Sequence, residues 1–154
     1  MKTFILSSLI ALSSAVAIPA QSDSNAAASQ TVSISYDKRF DVGTSSLKTV
    51  SCSDGTNGLI TQGYSTFNSL PGFPLIGGAP TVNSWNSPNC GKCYQLHYKN
   101  GNVDETINML AVDSAPGGFN LGLEAMNRLT KGNAEQLGRI QGTYTEVDKM
   151  QCGL

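Results

Sequence analysis

Two carboxyl groups flanking one glycosidic bond can cleave a polysaccharide, one protonating the leaving oxygen and the other activating water or attacking the sugar. Asp113 is the natural first member of such a pair. It closes the predicted strand 103–112 and opens the Gly-rich loop 113–118, where a side chain can face a groove and backbone can approach a ligand closely. The same position suits a carboxylate that hydrogen-bonds its own loop amides, and both roles stay open. The second carboxylate is harder to find. Asp37 and Asp41 lie near the first predicted strand, while Asp104 and Glu105 are strand neighbours whose side chains point to opposite faces. Glu124, Glu135, Glu146 and Asp148 fall at solvated positions. Asp54 is the best partner, because Cys52 ties its Gly-bounded turn to the rest of the domain. Without a convincing pair the expectation is a non-catalytic protein, with weak polysaccharide hydrolysis through Asp113 as the alternative.

Other chemistries have less support. A nucleophilic triad needs an imidazole beside the nucleophile, and the single histidine, His97, sits in a predicted strand between Leu96 and Tyr98 with no G-x-S-x-G element in the chain. One histidine also leaves no ordinary His-based metal site. No phosphate loop or dinucleotide fingerprint occurs, so neither metal nor cofactor is expected. Ten Lys plus Arg against eleven Asp plus Glu give a net charge of −1, which supplies no basic stripe for nucleic acid. Charged residues make up 14% of the chain, against roughly 25% in ordinary soluble domains. With sixteen glycines and many Ser, Thr and Asn, such a surface suits an uncharged, hydrogen-bonding ligand.

The elements that must position these residues fill one domain. The 154 residues suffice for one core and are too few for two ordinary domains. Residues 1–17 read as a secretory signal peptide, with Lys2, an apolar run from Phe4 to Leu12 and the small-residue pattern Ala15-Val16-Ala17. The run is broken by serines and too short for a membrane span. Residues 18–30, rich in Ala, Ser, Asn and Gln, read as a disordered leader or propeptide. The domain proper is 31–154. Its four cysteines, Cys52, Cys90, Cys93 and Cys152, favour two disulfides in an oxidising compartment, with three connectivities open. A redox dithiol at Cys90-Gly91-Lys92-Cys93 would need a helix where a strand pattern follows.

Alternation at Val32, Ile34 and Tyr36 predicts a first strand, and 47–52 a second short one. Ser65 caps a brief helix over 66–70, ended by Pro71, and 72–80 follows as an irregular loop. The clearest hairpin joins 94–99 to 103–112 through Asn100-Gly101, expected to form a type I′ turn. Asn120 is placed to cap a helix over 121–130 that stops at Gly132. A shorter helix is predicted over 134–137 and a last strand over 139–147. Short strands with two small helices indicate a mainly β barrel.

Six blocks then carry a specific resemblance: Val32-Ser-Ile-Ser-Tyr36-Asp37; Cys52-Ser-Asp-Gly55 with Gly58-Leu59; Pro71-Gly-Phe-Pro74 with Ile76-Gly-Gly78; Trp85-Asn-Ser-Pro88 leading into Cys90-Gly-Lys-Cys93; Ala111-Val-Asp113-Ser with Gly117-Gly-Phe-Asn120; and Leu137-Gly-Arg139. In this order they resemble the cerato-platanins over about residues 32–154. The resemblance implies a secreted fungal protein with a six-stranded double-ψ β-barrel and two or three short helices, related in fold to barwin and expansins. It also implies disulfides Cys52–Cys90 and Cys93–Cys152. As function it implies binding of chitin or N-acetylglucosamine oligomers in the fungal cell wall, expansin-like loosening without cutting, and elicitor or allergen action, with recognition by a plant host receptor as a further reading. The protein is expected to be a monomer outside the membrane. Asp54, Gly55, Asp113, Ser114, Gly118, Phe119 and Asn120 carry over as groove residues. Trp85 and Tyr64 are weaker candidates, since a lone Trp in a small domain is more often core. Tyr94 stands where many relatives have Trp, and keeps an aromatic face.

Overall fold

The computed structural model describes residues 28–154. The expected signal peptide and residues 18–27 of the expected leader lie outside the described residues. Six strands close into a barrel: β1 (Gln30–Tyr36), β2 (Ile76–Ala79), β3 (Cys93–Asn100), β4 (Val103–Ser114), β5 (Phe119–Leu121) and β6 (Arg139–Val147). Their order around the barrel is β1-β5-β2-β4-β3-β6. Neighbours run antiparallel except β1 with β5 and β2 with β4, which are parallel. This is the six-stranded barrel that the resemblance implies. Strand β1 begins one residue before the expected start of the domain.

Alternation explains the long strands. Ile34, Leu96, Met109 and Ile140 turn inward, while Ser33, Ser35, Gln95, His97, Arg139 and Gln141 alternate with them toward solvent. Tyr94 and Phe119 are fully buried, and their rings meet each other at 5.3 Å and Tyr144 at 5.9 and 5.1 Å, within the range of favourable aromatic contacts. Tyr94 therefore presents no face to a ligand. Its hydroxyl shares a 2.5 Å hydrogen bond with Thr81 Oγ1, and burial raises its pKa. Two helices, α1 (Leu123–Thr130) and α2 (Ala134–Leu137), join β5 to β6.

Five local expectations are corrected. Residues 47–52 form no strand: Ser46 accepts from the Lys48 amide and starts a 3-10 turn at Leu47–Thr49, whose Leu47 is fully buried. The irregular loop 72–80 contains β2, hidden from periodicity because Gly77 and Gly78 carry no side chain to alternate. A Cβ on Gly77 would lie 2.4 Å from the Asn120 carbonyl oxygen, so glycine is what lets β2 and β5 approach. Asn120 does not cap a helix, because it belongs to β5. The N-terminus of α1 is capped from a distance by Asp41, whose Oδ2 and Oδ1 accept from the amides of Leu123 (2.7 Å) and Glu124 (3.1 Å). Finally, Asn100 pairs with Val103, so the hairpin turn is Gly101-Asn102. Only Gly101 has positive φ, the type II′ pattern rather than I′. The 66–70 helix is a 3-10 turn at Phe67–Ser69, started by Thr66 rather than Ser65.

Both disulfides pair as the resemblance implies, Cys52–Cys90 and Cys93–Cys152, with Cα atoms 5.3 and 5.7 Å apart. On the outside of the hairpin, Asp104 takes His97 Nε2 at 2.8 Å and Lys99 Nζ at 2.9 Å. These hydrogen bonds, His97 first, depress its pKa from 3.8 to about 2. Whatever this cluster contributes to stability is present above the ordinary Asp pKa and is lost as pH falls through about 2. Following the Asp104 carboxyl carbon by NMR should give a midpoint near 2. A midpoint at the ordinary value would show that the cluster does not persist in solution.

Candidate functional site

Asp113 lies at the end of β4 and is 8% exposed. Its Oδ1 accepts from the Ser51 amide (2.8 Å), the Ser51 hydroxyl (2.7 Å) and the Ser114 amide (2.8 Å). Its Oδ2 takes Arg39 Nη2 at 2.5 Å. An ionised carboxylate offers about four acceptor sites; here three donors crowd onto Oδ1 and one engages Oδ2. The side chain thus does what the loop-amide reading expected and more, since it also fastens the 51–52 segment and the 3-10 turn Lys38–Asp41 to the barrel. Arg39 in turn reaches Asp37, with Nε 3.3 Å from Oδ2.

Next to this cluster two loops lock together. The Asn86 amide donates to the Ser51 carbonyl at 3.3 Å, which joins the Trp85-Asn86 loop to the segment that Asp113 holds. Asn86 Oδ1 accepts from the Asn57 amide, and Asn57 Nδ2 donates to the Asn86 carbonyl, both at 2.9 Å. Gly55 has a φ of +82°, and a Cβ there would meet Asn86 Oδ1 at 2.6 Å, so this closure requires glycine. Across the closed loops Trp85 Nε1 donates to Asp54 Oδ1 at 2.6 Å. That bond, ahead of smaller contributions from the Asp54 amide, Ser53 and Lys48, lowers the Asp54 pKa. Trp85 is 58% exposed. The expectation that a lone Trp is core is therefore corrected: the indole stands on the surface with its edge anchored and its ring open to solvent. Tyr64 is half-buried against the core.

The predicted groove residues do not converge on one place. Asp54 and Gly55 belong with Trp85, and Asp113 and Ser114 with Arg39 and Ser51. Gly118 and Phe119 are buried. A Cβ on Gly118 would lie 2.2 Å from the Ser33 carbonyl oxygen at a φ of +125°, so this glycine serves the close approach of β5 to β1. Asn120 faces outward beside Ser35, whose hydroxyl donates to its Oδ1 at 3.2 Å. Sequence reasoning missed Arg39, Ser51 and Asn86. Nothing in Lys38-Arg39 or Ser51 marks a partner 62 to 74 positions away. The left-handed Asn86, with φ 58°, is legible only as an Asn-Ser-Pro turn.

Chemically, this surface can bind and orient a polar ligand. A general acid needs a raised pKa, and Asp54 is shifted the other way. Asp113 spends most of its accepting capacity on the fold. Among the described residues no group of three His, Cys, Asp or Glu side chains could hold a metal ion, and no helix is long and apolar enough to cross a membrane.

The Cerato-platanin family model matches residues 32–154. The chain is 52% identical over 147 residues to "Allergen Asp f 15" of Aspergillus fumigatus, covering 94% of this chain and 93% of the relative. Among solved structures, cerato-platanin 2 from M. perniciosa superposes with a TM-score of 0.78 at 41% identity, covering 81% of this chain and all of the other. The solution structure of the fungal elicitor Cerato-Platanin gives 0.69 at 38%, covering 79% and 96%. The chain belongs to the cerato-platanin family.

Proposed function

We propose that this protein is a secreted, non-catalytic carbohydrate-binding protein that takes N-acetylglucosamine oligomers or chitin on the surface around Trp85, Asp54 and the Ser51–Asp113 cluster. One observation carries the reading: an exposed indole whose edge is fixed by Asp54 while its ring stays free. An aromatic face stacks on the apolar side of a pyranose, and a fixed ring loses little freedom when it does so. Asp54 and the nearby amides and hydroxyls supply hydrogen-bond partners for sugar hydroxyls and acetamido groups. Binding is weak, because sugar–protein hydrogen bonds replace similar sugar–water ones and a shallow surface adds modest apolar contact. Two disulfides support an oxidising, extracellular setting.

Loosening of polysaccharide without cutting is the corresponding activity, and the names of the relatives, an allergen and an elicitor, favour recognition by a host as a second reading. The hydrolase alternative is disfavoured by the lowered pKa of Asp54. Since Trp85 is the only tryptophan, intrinsic fluorescence reports on this site directly. Titration with chito-oligomers should change its emission, with affinity rising with oligomer length and no new reducing ends appearing on prolonged incubation. Unchanged emission would oppose Trp85 as the platform. Reducing ends that disappear in Asp54→Ala or Asp113→Ala would restore the hydrolase reading.

A further inference from the structure

A separate groove of ≈ 750 Å³ runs along the outside of the barrel, lined by Ser35, Tyr36, Asp37, Lys38, Asn120, Gly138 and Arg139. Trp85 and Asp54 are not among its residues. Ser35 on β1 lies opposite Arg139 on β6 and opposite Asn120 on β5. Residues in register across neighbouring strands share a face, and the residues flanking this row, Ile34, Phe119, Leu121 and Ile140, all point inward. Arg139, Ser35 and Asn120 therefore form an outward polar row with steps of about 4.8 Å, close to one pyranose ring per strand.

The charges in this groove are unequally satisfied. Lys38 Nζ is 2.6 Å from Glu135 Oε1. Both oxygens of Asp37 are taken by Arg39, one by its amide (2.9 Å) and one by Nε (3.3 Å). Arg139 donates from Nη1 to Ser33 Oγ at 2.8 Å, and among the described residues no carboxylate lies within ion-pair distance of it. A guanidinium carries five N–H donors in a planar fork that matches a carboxylate. Asn120 Nδ2 also has no acceptor among the described residues, its Oδ1 being the atom that Ser35 engages.

We propose that this groove is a second carbohydrate site, specific for a sugar that carries a carboxylate, a uronic-acid unit of an acidic polysaccharide. Arg139 holds the carboxylate, and Asn120 and Ser35 bond hydroxyls of the same or the next ring. The site goes beyond the neutral-sugar surface and does not depend on it. Because Arg139 is exposed, its attraction is screened by salt.

The test uses short 1,4-linked galacturonate oligomers and their methyl esters, titrated into the labelled protein while amide shifts are followed. The free acid should move the amides of Ser35, Asn120 and Gly138. Its affinity should fall at least tenfold in Arg139→Gln, fall with added salt, and be partly kept in Arg139→Lys, which retains charge without the fork. The methyl ester should bind at least tenfold more weakly than the acid. The Trp85 response to chito-oligomers should persist in Arg139→Gln. Equal binding of acid and ester, an Arg139→Gln variant that binds the acid unchanged, shifts confined to the Asp54–Trp85 loops, or parallel loss of both ligands in Arg139→Gln would each overturn the proposal. If chito-oligomers fail to bind while galacturonate behaves as described, the neutral-sugar reading falls and this one stands.

Discussion

Reduction of both disulfides unfolds the barrel at room temperature, whereas a chelator leaves it folded. The two bridges span 38 and 59 residues, and in the chain-entropy account each removes roughly 4 kcal/mol of freedom from the unfolded chain. Together that is comparable with the roughly 5–15 kcal/mol by which a domain is stable at all. The bridges also act where regular hydrogen bonding is sparse. Cys52 and Cys90 join the two loop regions of 43–75 and 80–92, where, among the described residues, the elements are 3-10 turns and turns, and Cys152 fixes the chain end to the first residue of β3. Circular dichroism with and without reductant measures the effect, with EDTA alone as the control. A reduced protein that keeps its barrel spectrum, or an oxidised one that unfolds in EDTA, would contradict this account.

Asp113→Ala destabilises the domain by a few kcal/mol, on the order of 2–3. The substitution removes one acceptor group from four donors and leaves the Ser51 and Ser114 amides in a nearly closed site without a partner. The Arg39 guanidinium is half-exposed and can turn to water and Asp37, which keeps the cost below that of a fully buried broken pair. Asp113→Asn keeps the shape and part of the accepting capacity, and should cost less. Urea denaturation of the three proteins gives the comparison through the midpoint at constant slope. A loss below about 1 kcal/mol in Asp113→Ala, too small for several lost hydrogen bonds, would mean that the carboxylate does not hold the fold and is free for another role.

What the sequence discloses and what it hides divide along physical lines. Strands β1, β3, β4 and β6 are legible because a buried wall against solvent imposes a period of two, as at Val32, Ile34 and Tyr36. Strand β2 is not, because the residues that let it slip between β4 and β5 are glycines, and a missing side chain has no period. The cap of α1 is hidden for a different reason: Asp41 is far from the helix it starts, and only the closed barrel brings the two together. Asp113 is identifiable as an important carboxylate from its place after an apolar strand. Its partners are not, since Arg39 and Ser51 meet it through long-range contacts. The site shows the same division. Asp54 and Gly55 are marked by a turn beside a cysteine, whereas the surface position of Trp85 follows from the Asn57–Asn86 lock, which composition cannot reveal. Phe119 looks like a stacking residue in Gly117-Gly-Phe-Asn120 and is instead a core ring packed on Tyr94 and Tyr144.

The central claim, that a neutral amino-sugar oligomer binds at the Trp85–Asp54 surface, is tested most directly by titrating the isotope-labelled protein with N-acetylglucosamine hexamer and following every amide together with the Trp85 indole N–H. The account predicts saturable shifts at the Trp85 indole, Asp54, Gly55, Asn86 and the Ser51–Asp113–Ser114 cluster, with Phe119 unmoved in its core. Saturating hexamer that leaves the indole and the Asp54 and Asp113 amides in place would contradict it, and recognition of the protein surface by a host receptor would then be the better reading.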